Sequence, residues 1–93
     1  MMTAIEISVP SLLMDCTGGH TRFTMHAATL SETLEQLWSA YPLLRRHLYQ
    51  ESGKLRPHVL LFYNDDNIEW LDNLDIPLKA GDRLLVLQAV SGG

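Results

Sequence analysis

Residues 4–9 alternate, with Ile5, Ile7 and Val9 on one side and Ala4, Glu6 and Ser8 on the other. A period of two marks a half-buried strand, and Pro10, which cannot continue a ladder, ends it. Thr17-Gly18-Gly19 is a turn signal. Alternation resumes over Thr21–Met25, with Phe23 and Met25 set against Arg22 and Thr24. The two strands are expected to form a hairpin with a long connection. The period then changes. Thr29-Leu30-Ser31-Glu32 has the form of a capping box. Leu30, Leu34, Leu37, Trp38 and Tyr41 follow as one stripe of a 3.6-residue helix. Pro42 is expected to stop that helix near Tyr41, with a further short helical turn over Leu43–Tyr49. Gly53 opens a loop. Val59–Tyr63, rich in apolar and aromatic residues, reads as a central strand. Residues 64–67 (Asn-Asp-Asp-Asn) read as a turn and Ile68–Trp70 as a short returning strand. Residues 72–79 are irregular, Ala80-Gly81-Asp82 is a turn, and Arg83–Leu87 is the last strand.

A helix that follows a hairpin must bury its stripe against a sheet, which predicts a two-layer α+β domain. A β-grasp (ubiquitin-like) roll satisfies this order. It has a mixed sheet of four to five strands with one main helix on one face, and its first and last strands run side by side and parallel at the centre. The long crossover is what parallel pairing requires. Residues 1–88 are expected to form this domain and residues 89–93 a flexible tail.

In such a roll Ile5, Ile7, Phe23, Met25, Val59, Leu61, Tyr63, Leu84 and Val86 face the helix. Leu60, Phe62, Leu85 and Leu87 then face outward on adjacent strands. An exposed apolar patch of this kind marks an interaction site. Arg83, with Arg22, Arg45 and Lys79, is a candidate for its polar rim.

The chain has 93 residues, one domain's worth. Apolar residues make up 46% and charged residues 19%, a mix that argues against disorder. The net charge of −4 disfavours a nucleic-acid partner. Apolar runs such as Val59–Tyr63 fall far short of the ~20 residues that span a bilayer, and the N-terminus does not resemble a secretion signal. Cys16 is the single cysteine, which excludes an internal disulfide or a four-cysteine metal site and fits a cytoplasmic location.

No catalytic constellation emerges. His20, His26, His47 and His58 are dispersed and read as surface or edge residues rather than metal ligands. Asp65-Asp66 lacks the ligand spacing of a calcium loop. Gly18-Gly19 is not followed by the Lys and Ser/Thr of a phosphate loop. Cys16 has no basic neighbour that would activate it. What remains is the uncharged end, Ala89-Val90-Ser91-Gly92-Gly93. It runs directly out of a strand and reaches roughly 16 Å at ~3.3 Å per residue. Glycine has no Cβ, so a diglycine can thread a narrow active site. A carboxylate is a poor electrophile until it is activated as an acyl-adenylate.

Gly81–Gly93 resembles the C-terminal signature of the ubiquitin-like sulfur carriers of the MoaD/ThiS family. Val9-Pro10-Ser11-Leu12-Leu13 is similar to the strand-exit segment of that group. Gly53-Lys54-Leu55-Arg56, followed by Val59–Tyr63 and Asn64-Asp65, resembles its strand-then-turn pattern. The Thr-Gly-Gly turn is most similar to the carriers of cysteine biosynthesis. The resemblance implies that a ubiquitin-activating-type adenylating enzyme, a sulfurtransferase that uses ATP, activates Gly93. Sulfur then replaces AMP to give a thiocarboxylate. The implied acceptor is a cysteine-synthase-like enzyme or the large subunit of molybdopterin synthase. On this reading Gly92, Ser91, Val90 and Ala89 thread the partner's site, and Leu60, Phe62, Leu85, Leu87 and Arg83 dock. The chain itself binds no cofactor or metal and is a cosubstrate, not an enzyme. Gln88 stands where members often have proline, which would stiffen the strand exit. The alternatives are the molybdopterin synthase small subunit, a thiamine-pathway carrier and, from another class, a modifier joined to other proteins through Gly93.

Overall fold

The structure, a computed structural model, describes residues 2–88. Strand β1 (Thr3–Ser8) pairs antiparallel with β2 (Arg22–Ala27), placing Ile5 opposite Met25 and Ile7 opposite Phe23. The chain continues through helix α1 (Leu30–Ala40) and helix α2 (Pro42–Leu48) to β3 (Val59–Tyr63), the two-residue β4 (Asp66–Asn67) and β5 (Arg83–Gln88). Strand order in the sheet is β2-β1-β5-β3-β4, with β1 and β5 parallel and every other pair antiparallel. The expected pairing of first and last strands therefore stands. β3 is interior but off-centre, and β4 covers only its last two residues, Phe62 and Tyr63.

The helix starts at the expected cap, but only half of the capping box forms, because the Glu32 side chain turns forward to Gln36 instead of back to the Thr29 amide. The Thr29 hydroxyl accepts from the Glu32 amide at 3.2 Å, satisfying one orphan donor of the first turn. The Glu32 carboxylate accepts from Gln36 at 3.2 Å, one turn along. Leu30, Leu34 and Leu37 are buried, and so is Thr33, whose hydroxyl donates to the Thr29 carbonyl at 2.9 Å. Pro42 does two things at once. It ends α1 and occupies the first turn of α2, where its missing N–H costs nothing. α2 buries Leu44 and Leu48. With Ile5, Ile7, Leu61, Leu84 and Val86 these side chains make one core, each contributing on the order of 1.5–3 kcal/mol by leaving water.

The expected hairpin with a long connection forms, and that connection is not plain loop. The connection between β1 and β2 holds a 3₁₀ helix, Ser11–Thr17, that buries Leu13 and Thr17. The Thr17 hydroxyl bonds the carbonyls of Met14 and His20 and pins the segment closed. Gly18 (φ 66°) and Gly19 (φ 89°) then reverse the chain in the left-handed region, where a side chain would be strained. One expectation needs correction: Ile68–Trp70 is a 3₁₀ turn rather than a strand. The returning strand is one step earlier, at Asp66–Asn67. The Asn67 side chain accepts from the Glu69 amide at 2.9 Å and so caps a helical turn that draws the chain out of the ladder.

Candidate functional site

The two faces of the sheet separate as the alternation requires. Phe23 and Met25 are half-buried beneath the helices, and the other seven inward residues are buried. On the open face Leu60 stands opposite Leu87, and Phe62 opposite Leu85. Leu60, Leu85 and Leu87 are 40%, 37% and 40% exposed, and Phe62 is half-buried. Directly opposed side chains lie about 5 Å apart, so the four make a continuous apolar square over β3 and β5. β1 and β2 carry the polar half of the same face. There Glu6 and Arg22 approach to 3.6 Å, and Arg83 reaches Asp65 at 3.9 Å from the far end of β5. Both ion pairs are largely solvated and contribute little to stability. Of the other rim candidates, Arg45 of α2 lies over the ring of Tyr49, the residue that follows the helix, 5.3 Å from its centroid. Lys79 is exposed before β5, at the end opposite the tail, and its amide bonds Asp82 on the helix side of the sheet, so it is not part of the rim of the open face.

A polar node fixes the start of β5. Asp82 is buried, 7% exposed. Its carboxylate accepts from the Tyr63 hydroxyl, from the Lys79 amide at 2.8 Å and from the Asn64 side chain at 3.2 Å. Asn64 also accepts from the Arg83 amide at 3.0 Å, holding its own backbone at φ 56°. Burial alone would raise the Asp82 pKa. The hydrogen bonds from Tyr63, Lys79 and Asn64 outweigh it and hold the carboxyl below the ordinary range. Tyr63 moves the opposite way, raised by burial and by its bond to Asp82. Sequence reading takes Asp82 only as a turn residue, because the donors that make it a node come from positions 63, 64 and 79.

At the other end of β5, where the chain leaves the sheet, Leu43, Arg46 and His47 of α2 meet Arg56, His58 and Gln88 around a cleft of about 490 Å³. The Arg56 guanidinium donates to the Arg46 carbonyl at 3.1 Å. These residues were not among the expected site positions. The only signal for them in the chain is the local run of basic residues.

His20, His26 and His47 are exposed and His58 is half-buried. Among the described residues no three His, Cys, Asp or Glu side chains gather as a metal site, and no helix is long and apolar enough to cross a membrane. Cys16 is half-buried, and burial with the neighbouring Asp15 charge pushes its thiol pKa up, away from nucleophilic reactivity. The tail positions Ala89, Val90, Ser91, Gly92 and Gly93 lie outside the described residues.

A parallel β1·β5 pair inside a mixed five-stranded sheet, with the helices on one face, defines a β-grasp domain. Comparison with known proteins narrows this. The ThiS family model matches residues 7–93, and the chain belongs to that family. It is 29% identical over 91 residues to the sulfur carrier protein CysO of Mycobacterium tuberculosis, covering 96% of this chain and 98% of that one. Among solved structures, a chain of the Amycolatopsis orientalis BexX/CysO complex superposes with a TM-score of 0.75. That match has 29% identity and covers 96% of this chain and 99% of the other. SAMP1 from Haloferax volcanii follows at a TM-score of 0.71 and 25% identity, covering 97% and 99%.

Proposed function

We propose that this chain is a sulfur carrier that works through the carboxylate of Gly93. The observation that supports the reading best is the extent of the family match. It runs through Gly92-Gly93, five residues past the end of β5 at Gln88. The chemistry proceeds in two displacements. A carboxylate oxygen of Gly93 attacks the α-phosphorus of ATP on an adenylating enzyme, forming the acyl–O–P bond and expelling pyrophosphate. A sulfide-level nucleophile then attacks the acyl carbon, the C–O bond to AMP breaks, and a thiocarboxylate remains. An acceptor enzyme takes the sulfide, and hydrolysis returns the carboxylate. The likeness to CysO, and the existence of a BexX/CysO complex, support a carrier that docks on a second protein. The cysteine-biosynthesis assignment rests on this likeness together with the Thr17-Gly18-Gly19 turn.

In this reading the domain serves as the handle. The apolar square of Leu60, Phe62, Leu85 and Leu87 docks on the adenylating enzyme, with Arg83 at its rim, while the tail enters the active site. Excluding water from that much apolar surface supplies binding energy that the reacting atoms need not provide.

The test is ATP–pyrophosphate exchange by the cognate adenylating enzyme, which should require this chain. Leu87→Asp is expected to raise the KM for the chain about thirtyfold, the equivalent of about 2 kcal/mol for a central contact. The side chain is 40% exposed and pairs with Leu60, so the fold should survive with a melting temperature lowered by only about 4–8 °C, the equivalent of about 1 kcal/mol. An unaltered KM would remove the square from the docking surface, and exchange independent of the chain would refute the carrier reading.

A further inference from the structure

Charge is divided unevenly along this chain. Four of its seven Lys and Arg residues, Arg45, Arg46, Lys54 and Arg56, fall within residues 45–58, with Glu51 as the one acid there. That segment carries +3, and the remainder, with three bases and ten acids, carries −7. Folding converts the sequence cluster into a place. Arg46 and His47 of α2 line one cleft together with Arg56, His58 and Gln88. The bond from Arg56 to the Arg46 carbonyl holds one guanidinium in position at the rim. Among the described residues neither Arg46 nor Arg56 pairs with a carboxylate.

We infer that this cleft docks an acidic protein surface surrounding the mouth of the adenylating enzyme's tail channel; the inference rests on the carrier function proposed above. Gln88 both lines the cleft and is the last strand residue before the tail. An enzyme that reaches Gly93 must bring its channel mouth within the span of five residues, roughly 16 Å. The surface that it meets there is the cationic end of an otherwise anionic molecule. Acidic side chains around the mouth would attract this end and repel the rest, so the chain would arrive tail first. The apolar square supplies contact area on the open face, and the cleft supplies orientation.

The experiment measures ATP–pyrophosphate exchange against concentration of the full chain, at low and high salt. Arg46→Glu/Arg56→Glu is expected to raise the KM for the chain at least about tenfold at low ionic strength, with kcat at saturation unchanged. The gap should narrow as salt screens the attraction. Arg46→Glu alone, which leaves the backbone carbonyl that Arg56 bonds in place, should show part of the effect with an unaltered melting curve. Lys79→Glu makes the same two-unit change in charge at the opposite end of β5 and should shift KM by less than about twofold. Equal KM for the cleft variants and the unaltered chain would overturn the inference while leaving the carrier function standing. An equal loss in Lys79→Glu would overturn it in favour of net charge. A rise in the KM for ATP instead would assign the cleft to nucleotide phosphates and overturn it too. Absence of exchange with the unaltered chain would overturn the carrier function, and this inference with it.

Discussion

A chain ending at Ser91 is expected to melt at the same temperature as the full protein and to support no pyrophosphate exchange. Both halves of that result matter. β5 ends at Gln88 and every described core residue lies at or before Val86, so the loss is not expected to be one of folding. Activity disappears because the reacting carboxylate is displaced by two residues, out of reach of ATP. Gly92→Val keeps the carboxylate in register and isolates the second requirement, a backbone slim enough to pass the channel. A misplacement of about 1 Å at a reacting centre costs about 10²-fold in rate, and kcat/KM is expected to fall by that order. Retained exchange in the truncated chain would make the tail idle and leave the domain as a plain interaction module.

Asp82→Ala is expected to lower the unfolding free energy by about 3 kcal/mol. It leaves the Tyr63 hydroxyl, the Asn64 amide and the Lys79 amide without their acceptor, and each buried group left unpaired costs about 1–3 kcal/mol. For a domain of this size the melting temperature should fall by about 10–20 °C. The pH dependence carries the sign of the argument. Asp82 titrates lower when folded than when unfolded. Its contribution is therefore complete above the ordinary carboxylate range and is lost as pH falls through the folded value. Tyr63 titrates higher when folded than its ordinary value of 10.0. Its contribution is complete below that value and is lost as pH rises toward the folded one. Asp82→Asn should flatten the acid arm of the stability profile, and Tyr63→Phe the alkaline arm. Urea unfolding across pH measures both. An acid arm unchanged in Asp82→Asn would show that other carboxylates govern it.

The fold was legible wherever one binary pattern met one face. Ile5 and Ile7, Leu61 and Tyr63, and Leu84 and Val86 alternate because a single sheet face meets the helices, and all six are buried. The same alternation placed Leu60, Leu85 and Leu87 on the open side. Ser11–Thr17 was not legible. Its buried positions, Leu13 and Thr17, sit four apart among exposed Leu12 and Met14, and hydrogen bonds from Thr17 organise the turn more than any stripe does. The shift of the returning strand to Asp66–Asn67 came from one side-chain cap at Asn67, a local contact that competes with the ladder. The Asp82 node and the cleft beside Gln88 are tertiary products. Each gathers residues distant in the chain, so neither has a linear signature beyond a turn residue or a basic run.

The central claim concerns one functional group, and intact-mass spectrometry reads it directly. The full chain would be incubated with its adenylating enzyme, ATP and a sulfide donor, and the C-terminal peptide then isolated. The account predicts a mass gain equal to the difference between sulfur and oxygen, confined to the peptide that ends in Gly93 and absent when ATP is omitted. An unshifted C-terminal peptide under conditions that convert an authentic ThiS-family carrier, or a shift located at Cys16, would contradict it.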